Sequence, residues 1–240
     1  MNLRADLHLH SCLSPCGSLR LSPSRIVRRA RETGLEAIAL TDHNTARHVP
    51  LTARLCREAG LVFVRGLEAH SSEEIHVLCL FEQEDAALEF GQFLYAHLPP
   101  VRCIPEKMGD QVIVNEAEEI LETLDRYLVN ATDLTLTEIV ERAHQMGGLA
   151  IPAHVDRPSS GLLGRLGFLP PLPCPTLEVS ARYDRKRDPS GLAAHHRLIT
   201  GSDAHEWEDI GNVFTNIEVR TRTTGALIEA LRCEGRTSVG

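Results

Sequence analysis

Long apolar runs, CxxC pairs and nucleotide-binding glycine motifs are all missing from this sequence of 240 residues. No uninterrupted apolar stretch approaches the roughly 20 residues that cross a bilayer. Asp6 and two histidines stand where the apolar part of a signal peptide would lie. The absence of GxGxxG and of a P-loop gives no support for dinucleotide or P-loop chemistry. We therefore expect a cytoplasmic protein with no membrane partner.

Lysine is scarce, because Lys107 and Lys186 are the only two, and 33 acidic residues against 25 basic ones give a net charge of −8. A negative overall field repels polyanions, so we expect no long duplex nucleic acid as a partner. The sequence predicts no protein partner either. The cysteines are seven in number and scattered, which indicates neither a disulfide framework nor a zinc ribbon. We expect reduced and mostly buried thiols.

Short apolar runs that favour strands alternate with amphipathic stretches. Several runs are apolar throughout, which is typical of parallel strands covered on both faces. The predicted strands are 5–10, 37–41, 61–66, 75–81, 149–153, 177–180, 198–201 and 213–219. The predicted helices are 24–33, 46–59, 85–97, 136–146 and 224–234. Ser22-Pro23 begins the first helix and a Thr135–Glu138 capping box begins the fourth, so the chain is predicted to be α/β.

Residues 98–132 interrupt this alternation with two adjacent prolines and the sequence QVIVNEAEEILETLDRYLV. The pattern predicts a small hairpin followed by an extended or helical return. We interpret this segment as an insertion in a single domain, 1–240. It would cover one end of a barrel, or alternatively act as a lid over a substrate.

Histidines recur where predicted strands end. His8 and His10 are two residues apart on the first strand, so both should project to one face, together with Asp6. A single buried histidine is usually a core residue, but two histidines and an acid on one apolar strand point to metal binding. The same pattern recurs in the later motifs that contain Asp42, His43, Glu68, His76, His154, Asp203 and His205.

Polar side chains at successive strand ends converge on one mouth of a β/α barrel. Histidines and carboxylates suit zinc, manganese or iron, and a shared Glu68 could bridge two ions. The sequence therefore predicts divalent metal ions at this mouth.

The motifs DLHLHS, ALTDHNT, GLE, EEIHVL, PAHVDR and GSDAH occur in this order along the chain. In that order they resemble the polymerase and histidinol phosphatase superfamily of metal-dependent phosphoesterases. The segments GLAIPAHVDRPS and HSCLSPCG are further similar to a branch of stand-alone bacterial members. The resemblance implies a distorted barrel of seven strands and helices, written (β/α)7, with the site at the carboxyl ends of the strands.

Carried over by motif, the resemblance implies three metal sites. The first would be held by His8, His10, Glu68 and Asp203. The second would be held by Glu68, His76 and His154. The third would include His43 and His205, and Asp203 or His205 could also transfer a proton to the leaving group.

The sequence departs from the family in the loop after His10. Many members have a histidine or carboxylate there, but residues 11–31 contain neither. Cys12 and Cys16 are the only other metal-binding candidates in this loop. Both could simply pack within it, while Cys16 is a possible third-site ligand.

Arg157 and Arg182 follow predicted strand ends, where a guanidinium could bind a phosphoryl group through two hydrogen bonds. Each could instead be an ordinary surface ion-pair partner. His70 could face the site or turn away from it, and His48 is expected at the surface or in packing. Ser11 is not expected to be a nucleophile.

The sequence thus predicts an enzyme that hydrolyses a phosphate ester by a metal-bridged hydroxide. The substrate would be a small phosphorylated metabolite, a nucleotide or a short oligonucleotide. One alternative is an amidohydrolase-like C–N hydrolase, although the two lysines stand in polar contexts that do not suit its bridging lysine. A second alternative is a non-catalytic metal-binding regulatory module.

Overall fold

A curled sheet flanked by helices forms the frame of the protein. The computed structural model describes residues 1–232, and the structural statements below concern that range. In chain order the elements are β1 (Asn2–Leu9), α1 (Pro23–Glu32), β2 (Ala37–Leu40), α2 (Val49–Ala59), β3 (Val62–His70), β4 (His76–Phe81), α3 (Glu84–Ala96), α4 (Pro105–Met108), β5 (Val112–Val114), β6 (Ile120–Thr123), α5 (Leu136–Gln145), β7 (Leu149–Pro152), α6 (Leu162–Leu166), β8 (Thr176–Glu178), β9 (Arg197–Ile199), β10 (Thr215–Glu218) and α7 (Thr224–Arg232). The predicted end of the last helix, at 233–234, lies outside the described residues.

The main sheet has six strands in the order β10-β1-β2-β3-β4-β7. Strands β1, β2 and β3 are parallel, whereas β4 is antiparallel to both of its neighbours and β10 is antiparallel to β1. A separate parallel pair, β8 and β9, is joined to the sheet by isolated contacts such as Val155 N–H to the Glu178 carbonyl and a bridge between Leu9 and Ala204. The predicted α/β fold with a distorted barrel is confirmed.

Two apolar layers lie on the two faces of this sheet. The inner layer includes the strand residues Leu7, Val64 and Leu80, and Leu227 of α7 packs into it. The outer layer packs helices α1, α2, α3 and α5 against the other face, with Ile26 of α1 as an example. Both faces of the sheet are therefore covered, which explains why the strands are apolar throughout.

Helix ends follow the capping signals in the sequence. The Ser22 side chain accepts a hydrogen bond from Arg25 N–H, and Pro23 occupies the first turn of α1. Thr135 and Glu138 form the predicted capping box of α5. These side chains satisfy amide groups that have no partner inside a helix, and so they fix where each helix begins. None of the helices within residues 1–232 is both long and apolar enough to span a membrane.

The segment 98–132 contains the short helix α4 and a hairpin of β5 and β6. It packs against the loop after β1, since Ile113 and Leu128 share a cluster with Leu13, and Val112 packs with Cys12. The predicted hairpin is present, while the description of the segment as an insertion within one domain, 1–240, stays a prediction.

The fully buried side chain of Gln111 connects distant parts of this segment by hydrogen bonds. Its amide group donates to the carbonyls of Leu124 and Arg126, and its oxygen accepts from Leu128 N–H at 2.7 Å. We predict that Gln111→Leu loosens the segment, because three backbone groups lose their partner, and each of the two buried hydrogen bonds lost costs about 1–3 kcal/mol. Faster amide hydrogen exchange confined to 98–132 is the expected result. Gln145→Leu, at an exposed position of α5, is the control, and unchanged exchange in Gln111→Leu would contradict the prediction.

Candidate metal centre

A single buried carboxylate, that of Glu68 near the end of β3, lies at the centre of the polar cluster. It is 1% exposed, and five histidine nitrogens lie 3.0 to 3.4 Å from its oxygens. Those histidines are His8, His10, His43, His76 and His154. Neither Glu68 oxygen has a hydrogen-bond partner in the described range. Sequence reasoning placed Glu68 after a strand, but β3 extends as far as His70.

The residues predicted as metal ligands come together in overlapping groups. Within each group, one ligand atom per residue lies within 4.8 Å of the others. The groups are His8, His10 and Asp203; His8, Glu68 and His154; His43, Glu68 and His76; and His10, Cys16, His43 and His205. The division of these residues among individual ions stays a prediction.

The donor set fits divalent transition-metal ions. Several buried atoms of the cluster have no hydrogen-bond partner within residues 1–232, namely both oxygens of Glu68, both ring nitrogens of His76, and Nδ1 of His43 and His154. Buried polar groups normally have partners. Imidazole nitrogens and carboxylate oxygens that converge without shared protons are the ligands that zinc, manganese and iron accept.

Hydrogen bonds at Nδ1 fix the tautomers of three histidines. His8 Nδ1 lies 2.8 Å from Glu178, and His10 Nδ1 lies 3.0 Å from Ser14 Oγ. His205 Nδ1 donates to the Asp203 carbonyl at 2.7 Å. Each partner can accept a hydrogen bond from Nδ1, so the lone pair of the neutral ring is on Nε2, which is the arrangement of a histidine held for metal binding.

A shift of strand register aims His8 and His10 inward. Leu7 belongs to the inner apolar layer and Leu9 to the outer one, although they are two residues apart. The pairing of β1 with β2 changes register between Asp6 and Leu9. Such an irregularity redirects side chains next to functional sites. Asp6 does not join the ligand groups as expected; instead it accepts a hydrogen bond from Ser202 N–H at 3.0 Å.

Backbone geometry also positions the ligands. His154 and Asp203 have positive φ angles of 31° and 50°, a region that costs energy for residues other than glycine and is concentrated at functional sites. Gly201 allows the next strand end to approach, because a Cβ atom there would lie 2.6 Å from His8 Cβ and 2.8 Å from a Glu178 oxygen.

The electrostatics of the cluster couple its acids to its histidines. Burial opposes a charge on His10, but the neighbouring Asp203 and Glu68 outweigh it and raise the pKa of His10 to about 9. Burial likewise opposes ionisation of Glu68, yet His76, His8 and His43 hold its pKa well below the usual range. Protons therefore supply positive charge to the carboxylates, and metal ions would displace those protons.

Of the two arginines predicted to bind phosphate, Arg157 lies at the site and Arg182 has no contact with it among the described residues. Arg157 Nη1 lies 2.5 Å from Asp203 Oδ2, and its side chain is 40% exposed. Arg182 is exposed, and its backbone N–H donates to Ser180 Oγ. Neither observation tests a substrate-binding role.

Sequence reasoning missed Glu178, the last residue of β8. It is 2% exposed, bonds His8 Nδ1, and accepts from the backbone N–H of His154 at 3.0 Å. Glu178 is the second residue of the predicted strand 177–180, and the observed strand ends two residues earlier than predicted, so the strand-end pattern did not point to it. It holds two ligands in place without belonging to any ligand group in the described range.

A second network that sequence reasoning missed runs from the loop after β1 to the hairpin. Ser14 Oγ and Ser11 Oγ both donate to Asp42 at 2.7 Å, and Ser11 Oγ lies 2.8 Å from His48 Nδ1. Since His48 Nε2 accepts from Val114 N–H at 3.0 Å, the proton of this ring is on Nδ1. His48 therefore cannot take a proton from Ser11, so this is not a nucleophile–base pair. His48 is buried rather than at the surface.

His70 lies beside the site, where its ring packs against the candidate ligand His76. Its Nδ1 bonds the Val129 carbonyl at 2.8 Å, and its ring meets the His76 ring edge-on with centroids 4.4 Å apart. Burial lowers the pKa of His70 to about 4. It is therefore a neutral histidine that packs beside a candidate ligand.

The fold and the cluster define a class of barrel proteins that gather several metal ligands at one mouth. The sequence matches the PHP domain family over residues 6–98 and the PHP-associated family over residues 194–237. Together these matches cover more than half of the chain. The chain belongs to the PHP family, as its motifs predicted.

Two relatives show how far the similarity extends. An uncharacterized protein of Methanocaldococcus jannaschii is 35% identical over 91 residues, which are 35% of this chain and 53% of that protein. The 5'-3' exoribonuclease of Haemophilus influenzae is 25% identical over 193 residues, which are 64% of this chain and 69% of that enzyme. The chain thus spans about half the length of the first of these relatives.

Among solved structures, endonuclease Q is similar over 98% of this chain and 57% of its own, with 20% identity and TM-scores of 0.70 for the protein from Pyrococcus furiosus and 0.71 for a DNA complex. This likeness shows the shared fold. That complex holds a 27-mer duplex with an abasic lesion at the active site. The expectation that long duplex nucleic acid could be excluded is therefore wrong, because net charge does not decide what the mouth of this fold accepts.

Glu178→Gln should weaken metal binding about 10–100-fold, the usual effect of losing a group that orients a ligand. The amide keeps the shape of the side chain but carries no charge and only one accepting oxygen for His8 and His154. Metal is first removed with a chelator, and titration with zinc or manganese then measures the change in metal affinity. Glu106→Gln, at an exposed position, should bind as the wild type does; equal affinity in Glu178→Gln would show that Glu178 does not orient the ligands.

Asp6 generates a prediction about pH. Burial raises the pKa of Asp6 from 3.8 to about 6, and its Oδ2 has no partner in the described range. A raised folded-state pKa gives stability that is complete below about pH 4 and lost as the pH rises through about 6. In metal-free protein, the free energy of unfolding of Asp6→Asn should therefore be higher than that of the wild type above pH 6, by up to about 3 kcal/mol. The two free energies should be equal near pH 4.

Urea unfolding at a series of pH values tests this prediction. Asp125→Asn, at an exposed position, should follow the wild-type curve. A constant difference between Asp6→Asn and the wild type at every pH would contradict the assigned pKa.

Proposed function

We propose that this chain hydrolyses phosphate esters, with two or three divalent metal ions held by the Glu68 cluster. The observation that carries the proposal is the Glu68 carboxylate itself, buried among five histidine nitrogens and without a hydrogen-bond partner within residues 1–232. A site built in this way needs cations to balance it. Membership of the PHP family supports the same chemistry.

Bound divalent ions would acidify water and neutralise charge on phosphoryl oxygens. We assign the ligand role to His8, His10, His43, Glu68, His76, His154, Asp203 and His205. Glu68 is the shared ligand, because its two oxygens face different histidines: His76 Nδ1 lies 3.0 Å from one and His43 Nδ1 lies 3.1 Å from the other.

The substrate would enter beside Asp203 and His205. The His205 side chain is 32% exposed, whereas those of His8, His10 and Glu68 are at most 1% exposed. Burial lowers the pKa of His205 and keeps it neutral near pH 7. We propose that Asp203 or His205 transfers the proton of the leaving group, and that Arg157, paired with Asp203, turns toward the phosphoryl group when a substrate binds.

Nucleotides and short oligonucleotides are the first substrates to test within this proposal. The exoribonuclease relative is matched over most of its length and supports this class. A small phosphorylated metabolite fits the same chemistry. The amidohydrolase-like and non-catalytic alternatives gain no specific support from the geometry.

Glu68→Gln should abolish hydrolysis, reducing the rate to background, while the protein stays folded, because the change removes the shared negative charge with little change in volume. Aryl phosphate monoesters and diesters and a 5'-phosphorylated oligonucleotide serve as substrates, with circular dichroism as the folding check. Glu141→Gln, an exposed variant on α5, should keep full activity. An active Glu68→Gln enzyme would exclude the shared-ligand role, and an inactive wild type on every substrate would reject the proposed function.

A further inference from the structure

The fourth ligand group contains a cysteine. Cys16 Sγ lies 3.1 Å from His205 Nε2, and both belong with His10 and His43 to one set of converging ligand atoms. His43 is 3% exposed, and its Nδ1, which lies 3.1 Å from a Glu68 oxygen, has no hydrogen-bond partner in the described part of the chain. Thus a buried, unpartnered histidine and a thiol meet where residues 11–31 offer no acid or histidine.

The loop after β1 holds Cys16 in this place. Gly17 N–H donates to the Ser14 carbonyl at 2.8 Å, and Ser18 N–H donates to the His205 carbonyl at 2.9 Å. A Cβ atom at Gly17 would lie 2.7 Å from the Ser11 carbonyl oxygen, so only glycine fits this close turn. The thiol and the His205 ring are therefore tied together through the backbone.

His10 is already committed to the other side of the cluster. Its Nε2 lies 3.2 Å from Asp203 Oδ1 and 3.3 Å from His8 Nε2, while its Nδ1 bonds Ser14. A neutral imidazole offers only one lone pair. The protein donors left for an ion beside Cys16 are therefore Cys16 and His205, together with His43, which also belongs to the group of Glu68 and His76.

We propose that Cys16 is a thiolate ligand of a third metal ion, together with His43 and His205, and that the fourth position stays open for water or a substrate oxygen. The inference rests on the proposed function only in that metal ions bind this cluster. On binding, the Cys16 thiol releases its proton to solvent and its sulfur bonds to the metal. A thiolate makes this site prefer zinc, cobalt or iron(II) over manganese or magnesium.

The number of protein donors decides what such a site can do. Closed zinc sites with four protein ligands are structural, whereas three protein ligands and an open position are typical of catalytic sites. Because His10 serves the neighbouring site, the proposed third site has the open form. The Cys16 group also lacks the Glu68 carboxylate, so we expect its ion to be the weakest bound.

Cobalt(II) chloride is the probe, and it is titrated into the 240-residue chain after a chelator has removed bound metal. All proteins carry Cys233→Ser, because Cys233 lies outside the described residues. The wild-type background should develop a thiolate-to-cobalt charge-transfer band in the near ultraviolet as the last ion binds. Cys16→Ser should lose the band and bind that ion at least about tenfold more weakly. Cys12→Ser is the matched control, since Cys12 is buried against Val112 and Val114, and it should keep the band.

Cys16→Asp gives a second measurement, which still tests the proposal if the Cys16→Ser variant does not fold. It should bind the last ion without the charge-transfer band and shift its preference from zinc toward manganese. Zinc should also protect Cys16 from iodoacetamide, as located by peptide mass analysis. A wild-type background that binds cobalt without the band, or a Cys16→Ser protein that keeps it, would overturn the proposal.

Failure here and failure of the proposed function can be told apart. A chain that shows the cobalt band but hydrolyses no phosphate ester keeps the Cys16 ligand and rejects the function. A phosphoesterase without the band keeps the function and rejects Cys16.

Discussion

The burial of the Glu68 carboxylate among imidazoles is the constraint on which the rest of the site depends. An isolated carboxylate cannot be buried at this depth without positive charge nearby. The five surrounding histidine nitrogens supply that charge only when they are protonated, and the raised pKa of His10 shows the cluster drawing protons for this purpose. Divalent ions meet the same need without placing protons between ligands. The positions of the histidines, and of the strand ends that carry them, therefore follow from the need to place positive charge around Glu68.

Around this centre, fixed hydrogen bonds replace conformational freedom. Glu178 directs His8, Ser14 directs His10, and the Asp203 carbonyl directs His205. Strained backbone at His154 and Asp203 persists because neighbouring contacts hold it, as when Glu178 accepts the His154 N–H. The site is therefore organised before any ion binds, and the ordering of side chains does not have to be offset by metal binding.

The sequence carries most of the fold and nearly all of the cluster, because both depend on local rules. Apolar runs, caps and strand-end polar residues can be recognised from neighbours in the chain, as at Ser22 and His8. Register and strand direction depend on contacts between distant residues, so the shift at Asp6 and the antiparallel β4 were out of reach. Glu178 is an intermediate case: the sequence places it within a predicted strand, but the end of that strand and the short distance to His8 appear only in the structure. His48 shows the limit most clearly, since its partner Val114 lies 66 residues away.

The net charge of the whole chain led to the wrong expectation about duplex nucleic acid, because the charge near the mouth is what a ligand meets. The value of −8 describes the whole chain, but a ligand at the mouth meets the field of nearby groups, because salt screens charges beyond roughly 10 Å. Two divalent ions would outweigh the Glu68 and Asp203 carboxylates, and Arg157 adds a cation at the rim. Loaded with metal, the mouth would be positive on an acidic protein. An overall negative charge therefore limits non-specific attraction of polyanions along the surface, while a phosphate that reaches the mouth meets positive charge there.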